Sequence, residues 1–586
     1  MSLVGRLRGA ARGLRGEPAL ATAAPTGIVE HFSHTLVTGW VSVPADTAPT
    51  RVTLKVGAVD VCSTYATPGG AMSGSTGAPG RAKRKRTERR RTEPRGSRHD
   101  PMLPGPKGDR RNSRQEVRTF SFRMRDIWDY CGPGTPVRVV VGDQPLPINQ
   151  HGMFLKPRDK GEHAPDDLRD RLANGYVLSQ WGRLQLSKRL DTEWQQAVLA
   201  LYERVRVLLQ TKLGVDAFVI YGTLLGAVRD GGYIGHDVDF DAAYVSAQRT
   251  GPEAAEELTR IALALIEDGL RIEAFPACLH IVDPDHPDHR IDLFHTFFDE
   301  AGLLRFPFGV AGSTDFHESR WTGTEDIALP GGTALAPRDP ELLIEHLYGA
   351  DWRLPKPGFN WDLDRTSAAT DGRLSVEQRT KVYWADFYAR TEYTTGSTFF
   401  EFVSARPGTP GTVIDIGCGD GRDSCAFGTT GRRVLGLDQS PVGIEHARRR
   451  AADLGLDGVE FRTCDVSSID DLGTALDAVR DPAGAPTLFY LRFFLHAIHE
   501  QVQVALLDAI DAHARPGDQV AAEFRTDQDA HTAKVHTKHY RRFQNGPEFV
   551  ADLQRRGWTV EHEEERSGLS PYGEEDPVLM RVVARR

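Results

Sequence analysis

Between Gly27 and Ala66 apolar and polar residues alternate, in VTGWVSV and RVTLKVGAVDVCSTY, and the alternation returns at RTFSFRM and at VRVVVGD, near Pro136 to Asp143. A period of two turns every second side chain to the same face, so these runs predict the strands of a small β-sandwich-like domain over residues 26–155, preceded by a basic tail at 1–25. A stretch at 67–115, rich in Gly, Pro, Ser and Arg, interrupts them. It cannot bury enough apolar surface to offset the entropy of ordering and predicts a disordered insert. Beyond a linker at 156–175 the period becomes helical, with Val198, Leu201, Val205, Leu208 and Leu209 on one stripe of DTEWQQAVLALYERVRVLLQTKLG. FVIYG then reads as a buried strand, GTLLGAVR as a tight turn entering a short helix, and HDVDFDAAYV as a second strand. On that strand Val238 and Phe240 face one way and Asp237, Asp239 and Asp241 the other. A later strand, HRIDLFHTF, carries Asp292 between Ile291 and Leu293. Past LDRTSAATDGRLS, strand and helix signals alternate from Val376 to the end: TVIDI, RRVLGLD, VEFRTCD, YLRFF and QVAAEFRT, with GWTVEHEEER and VLMRVVARR as a closing hairpin. That alternation predicts an α/β domain over 376–586.

Length and charge narrow the classes. A chain of 586 residues with 40% hydrophobic content exceeds one core and divides into several domains. A net charge of -9 excludes a globally basic nucleic-acid binder. Six cysteines without a CxxC pair argue against a disulfide framework and a structural zinc site, and fit a reducing cytoplasm. The N-terminus lacks the apolar core of a signal peptide, and no run approaches ~18 uncharged apolar residues, so no membrane span is expected. The run RAKRKRTERRR reads most simply as part of a solvated insertion. No aromatic residue is interleaved from Arg81 to Glu116 to stack on bases, so its charge favours peripheral contact with an anionic inner membrane surface over nucleic acid.

Three aspartates at alternate positions lie roughly 7 Å apart along a strand and raise one another's pKa. A hard divalent cation, Mg2+ or Mn2+, removes that conflict, because it takes carboxylate oxygens and fills its other positions with water and substrate phosphate. Asp237, Asp239 and Asp241 are the candidate ligands, and Asp292 is the candidate third carboxylate and proton acceptor. Arg229, one turn after the GTLLG glycines, is a candidate phosphate clamp.

GTLLGAVR, HDVDFD, IDLF and APRDPELLIEHLYGADWRLPKP together resemble the LicD/fukutin family of the nucleotidyltransferase superfold, over residues 176–365. The resemblance implies an α+β nucleotidyltransferase-like domain that transfers a phospho-substituent, phosphocholine- or phosphoalditol-like, from a CDP-linked donor to a sugar hydroxyl. It implies that Asp239 and Asp241 are the paired metal carboxylates, Asp237 the acidic position before them, and Gly222, Thr223, Gly226 and Arg229 the donor-binding turn. Gly235 and His236 stand where family members often carry Pro-Trp.

TVIDIGCGDGRDSCAF is an apolar strand holding Asp415, then Gly417, Gly419 and Gly421 at a helix start. Glycine serves where backbone must approach a ligand closely or take positive φ. RRVLGLDQS ends a second strand at Asp438, placed to accept hydrogen bonds from ribose hydroxyls. Arg422 occupies the position where a dinucleotide fingerprint wants glycine. DIGCGDG instead resembles motif I of class I S-adenosylmethionine-dependent methyltransferases, which implies a Rossmann-like fold, S-adenosylmethionine as cofactor and Asp465 near the adenine amino group. Arg492, His496, Glu523 and Arg525 flank the strand ends where such a fold places its acceptor, and His496 is a candidate general base for O-methylation.

The combined expectation is a cytoplasmic bifunctional enzyme acting on a glycan or lipid-linked glycan acceptor, with phospho-transfer and methylation on the same or a related chain. Two alternatives stay open: a nucleotidyltransferase and methyltransferase tailoring a small molecule, and a nucleic-acid methyltransferase that uses the basic loop.

Overall fold

The alternation read at the front of the chain becomes seven strands: β1 (Thr26–Phe32), β2 (Leu36–Pro44), β3 (Thr50–Val56), β4 (Val59–Pro68), β5 (Gln115–Arg123), β6 (Val137–Val141) and β7 (Gln144–Pro145). They follow one path in the order β1-β2-β5-β4-β3-β6-β7. The path turns a corner at β4, whose residues up to Ala66 pair with β3 while Thr67 and Pro68 pair with β5. Val37, Val41 and Val43 of β2 meet Val52, Leu54 and Val56 of β3 and Phe120 and Phe122 of β5 in one core. Helix α1 (Pro165–Ala173) adds Leu168 to that core, and the pair β8 (Tyr176–Leu178) and β9 (Leu184–Leu186) adds Leu178. The computed structural model describes residues 26–45, 47–68, 115–310, 315–356, 359, 371–390, 395–478, 484–531, 540–571 and 575–586. The expectations for the basic tail at 1–25 and for residues 69–114 of the basic insert fall outside them. No helix among the described residues is long and apolar enough to cross a membrane.

Lys188–Arg353 and the described residues from 371 onward form a second compact unit. Its first part runs α2 (Thr192–Leu213), β10 (Phe218–Val219), α3 (Tyr221–Asp230), β11 (Asp241–Ser246), α4 (Gly251–Glu267), β12 (Arg271–Ala274), β13 (Cys278–Val282), β14 (Arg290–Phe298) and β15 (Leu304–Arg305). The hairpin β16 (Thr324–Leu329) and β17 (Gly332–Pro337) and helix α5 (Pro340–Tyr348) follow. The sheet order is β10-β11-β14-β13-β12, with β11 and β14 parallel and Asp241 in register with Asp292. The expected helical stripe is seen in α2, which buries Val198, Leu201, Val205 and Leu209.

The structure differs from the expected strands and turns at two places. GTLLGAVR lies wholly within α3 rather than forming a tight turn before a helix. Strand β11 begins only at Asp241, so Asp237 and Asp239 lie in the loop before it and do not alternate along a strand face. The Asp237 N–H donates to the Ile234 carbonyl at 3.1 Å, which closes a turn there, and pairing with β14 is reached only at Phe240, whose carbonyl accepts the Asp292 N–H at 2.8 Å.

The second part of the unit runs α6 (Val376–Arg390), α7 (Thr398–Ser404), β18 (Thr412–Ile416), α8 (Arg422–Thr429), β19 (Arg433–Asp438), α9 (Pro441–Asp453), β20 (Val459–Thr463) and α10 (Ile469–Ala478). It continues with β21 (Thr487–Arg492), α11 (Glu500–His513), β22 (Gln519–Arg525), α12 (Gly546–Arg555), β23 (Thr559–Arg566) and β24 (Leu579–Arg585). The strand order is β20-β19-β18-β21-β22-β24-β23, parallel except for β24, which runs antiparallel between β22 and β23. This is the doubly wound, Rossmann-like sheet with a closing hairpin that the sequence predicts. The order reverses between β18 and β21, and a crevice for a ligand opens at the carboxyl ends of strands on either side of such a point.

Candidate functional site

Carboxylates of Asp239, Asp241 and Asp292 converge, with one oxygen from each within 4.8 Å of the others. The parallel pairing of β11 and β14 brings Asp241 and Asp292 side by side, and the preceding loop folds Asp239 back onto them. Asp237 joins the edge of the group, because Gly222 has no side chain: a Cβ there would fall 2.4 Å from Asp237 Oδ2 and 3.2 Å from Asp241 Oδ2. Burial, and then the Asp239 charge, raise Asp237 and Asp241 well above the usual carboxylate range, and the same two causes push Asp292 up to about 7. Buried carboxylates this close ionise together only when positive charge is supplied among them. The cluster therefore fits a hard divalent cation, with Asp239, Asp241 and Asp292 as its ligands.

The start of α3 anchors this group. Gly222 N–H donates to Asp241 Oδ2 at 2.9 Å, and Thr223 Oγ1 accepts the Asp241 N–H at 2.8 Å. Gly226 serves packing, since a Cβ would sit 2.6 Å from the Gly232 carbonyl oxygen. Arg229 is drawn instead to its neighbour Asp230, at 3.0 Å, which Arg189 also engages at 2.9 Å. The guanidinium at the carboxylates is Arg290, whose Nε lies 3.3 Å from Asp292 Oδ1 and whose Nη2 lies 3.8 Å from Asp239 Oδ2. Sequence reasoning passed over it, although its place two residues before Asp292 puts both on one face of β14. His280, paired with Asp292 across β13 and β14, brings Nε2 within 3.4 Å of Asp292 Oδ2. Tyr348, at the end of α5, is raised by burial and then by the charges of Asp241 and Asp237, which places the tyrosine of the YGADW stretch beside the site.

In the second part of the unit Gly417, Gly419 and Gly421 take φ of 78°, 57° and 72°, the left-handed region that favours glycine. A Cβ at Gly417 would strike the Phe494 ring at 2.2 Å, and one at Gly419 the Tyr388 ring at 2.6 Å. Gly419 N–H donates to Asp438 Oδ2 at 2.9 Å and Ser440 N–H to Oδ1 at 2.8 Å. An ionised carboxylate has about four acceptor positions, so capacity remains for ligand hydroxyls. Asp415 is pushed up to about 8 by burial, against a 2.6 Å hydrogen bond donated by Ser424 Oγ. Asp415, Gly417, Asp438 and Asp465 line one cavity of about 470 Å3, with Tyr383, Trp384 and Tyr388 of α6 on its wall. Asp465 Oδ1 accepts from the Ser467 N–H at 2.9 Å. A glycine turn free of Cβ atoms, an aspartate ending the next strand and a cavity of this size fit an adenosyl cofactor.

Of the residues expected around the acceptor, Arg492 and Glu523 are 3.3 Å apart, and Glu523 Oε2 accepts from Arg581 Nε at 2.6 Å. Arg525 is held by Asp529 at 2.7 Å and Glu575 at 2.5 Å. His496 is buried on the cavity wall, where its Nδ1 faces the Arg525 N–H at 3.4 Å. That contact favours the tautomer protonated at Nε2, which donates, whereas a general base acting through Nε2 needs the other. Phe493, also on the wall, holds φ of 51°, a strained setting for a residue with a side chain. The α6 aromatics were missed by sequence reasoning, although their cluster in KVYWADFYAR was visible.

Residues 409–483 match the family model described as a methyltransferase domain. A Mycobacterium sp. (strain JLS) protein named as an S-adenosyl-L-methionine-dependent methyltransferase is 30% identical over 282 residues, covering 45% of this chain and 92% of that protein. The cypemycin N-terminal methyltransferase of Streptomyces sp. is 31% identical over 123 residues, covering 21% of this chain and 45% of that protein. The solved glycopeptide N-methyltransferase MtfA with (S)-adenosyl-L-homocysteine aligns over 33% of this chain and 90% of its own, with 16% identity and a TM-score of 0.26.

Proposed function

The chain belongs to the S-adenosyl-L-methionine-dependent methyltransferases, and on that premise we propose that it methylates a glycan or lipid-linked glycan and also attaches a phospho-substituent from a CDP-linked donor to a sugar hydroxyl of the same or a related chain. When bound, S-adenosylmethionine supplies a methyl group on a sulfonium centre. The chain's part is to hold the ribose hydroxyls on Asp438, to receive the cofactor backbone against the glycine turn, and to set the adenine beside Asp465. His496, donating from Nε2, would orient the acceptor oxygen, whose hydroxyl proton passes to bulk solvent. The wall of Tyr383 and Phe493 offers flat faces to a sugar ring.

The phospho-transfer half rests on one observation, the convergence of Asp239, Asp241 and Asp292. When bound, Mg2+ or Mn2+ would neutralise these carboxylates and the charge of a diphosphate. Arg290, beside Asp292, would hold a donor phosphate, and the Asp292 oxygen left off the cation would receive the acceptor's hydroxyl proton. Peripheral contact of the basic insert with an anionic membrane surface would keep the enzyme near a lipid-linked acceptor. The test offers CDP-choline and CDP-ribitol with methyl-labelled S-adenosylmethionine and glycan from cells lacking the chain. The expected products are free CMP together with phosphate-linked and methyl mass increments on the glycan. A second reading, tailoring of a small molecule, draws on the aromatic wall of the cavity, and nucleotide retained on the acceptor would support it instead.

A further inference from the structure

Helix α6 has two occupied faces. On one, Tyr383, Trp384 and Tyr388 line the cofactor cavity, with the Tyr388 ring against Gly419 of the glycine turn. Trp384 and Tyr388 stack there at 5.7 Å and 22°. On the other, Val382 and Ala385 are fully buried in the core that also holds Phe240, Ala242, Ile272, Leu279 and Leu293 of the acidic sheet and its approach. Asp386, buried on α6, accepts the outward N–H of Ile272 at 3.0 Å and pairs with Arg390. Ile272 belongs to β12, the end strand of that sheet, whose partner β13 carries His280 beside Asp292. Leu374, just before α6, donates its N–H to the Pro276 carbonyl at 2.7 Å. Val442 at the start of α9, two residues beyond Ser440, reaches into the same core.

We infer that Tyr388 and Trp384 of α6, which precede the residues 409–483 matched by the family model, are cofactor-binding residues, and that through Asp386 the same helix couples S-adenosylmethionine binding to the order of the β12 edge of the acidic sheet. An edge strand has unpaired outward N–H groups, and its stability depends on what covers them. A ligand that settles the aromatic face of α6 restricts the whole helix, because the helix is rigid along its length and its far face is close-packed. The coupling is reciprocal: what orders β12 presents α6 in the geometry the cofactor needs. This rests on the cofactor reading of the cavity and does not require the phospho-transfer reading.

The test is amide hydrogen exchange of the full chain with and without S-adenosylhomocysteine. Protection is expected at the glycine turn and α6 and also at residues 271–274. Protection at the glycine turn and α6 with residues 271–274 unchanged would overturn the coupling. No protection anywhere would overturn the cofactor reading itself, and this inference with it. Asp386→Ala should keep protection at the glycine turn and lose it at 271–274, whereas Asp386→Asn, which retains an acceptor oxygen, should keep both. Equal β12 protection in Asp386→Ala and wild type would contradict the route through this residue. Tyr388→Ala should weaken S-adenosylhomocysteine about tenfold, the ratio given by about 1.4 kcal/mol of lost contact, and unchanged affinity would remove Tyr388 from the site.

Discussion

Gly417 carries two demands at once, a φ of 78° and a Phe494 ring where a Cβ would go. Gly417→Ala should cost at least about 2 kcal/mol of stability and weaken S-adenosylhomocysteine more than tenfold, read from denaturant midpoints and calorimetry. Asp415 makes a pH prediction. Burial pushes it up to about 8 in the folded chain, against an ordinary carboxyl in the unfolded one. Between about pH 4 and pH 8 the folded state holds a proton that the unfolded state has released, so this group makes stability fall as pH rises through that window and adds no slope above it. Asp415→Asn should flatten that slope and be more stable than wild type at pH 8, as denaturant midpoints at pH 5 and pH 8 would show. At this scale the sequence is most readable in backbone conformation: the glycines of DIGCGDG, expected where positive φ is needed, take it at Gly417 and Gly419. It was least readable where a cation chooses among acids: Arg229 was the expected clamp, but Asp230 lies next to it and holds it, leaving Arg290 at the carboxylates.

Strands β21, β22 and β24 are fastened by an ion group under the cavity floor, where fully buried Glu523 engages Arg492 and Arg581. Glu523→Ala would leave two guanidinium groups short of a partner and should cost about 3–5 kcal/mol, whereas Glu523→Gln, which keeps an acceptor, should cost less; urea unfolding of the two variants separates them. Periodicity located these parallel strands because burial on both faces makes each a continuous apolar run, as in TVIDI and VLGLD. The acidic stretch misled for the opposite reason. DVDFD has the alternation of a strand, yet Asp237 closes a turn with Ile234 and the strand begins only at Asp241. The carboxylates still converge, because the neighbouring parallel strand supplies Asp292 in register with Asp241.

At the scale of the whole chain, both sites announce themselves as short motifs, while the element between them does not. Asp386 and Ile272 are 114 positions apart, and no local pattern ties them. The aromatic cluster of α6 reads from sequence as one more amphipathic helix, and only the folded unit reveals that its two faces serve two different neighbours. The proposed phospho-transfer requires the carboxylates of Asp239, Asp241 and Asp292 to take up a cation, and calorimetric titration of the full chain with manganese addresses that most directly. One cation per chain is expected, with binding abolished by Asp241→Asn while S-adenosylhomocysteine still binds that variant. No heat from wild type, or the same binding in Asp241→Asn, would contradict it.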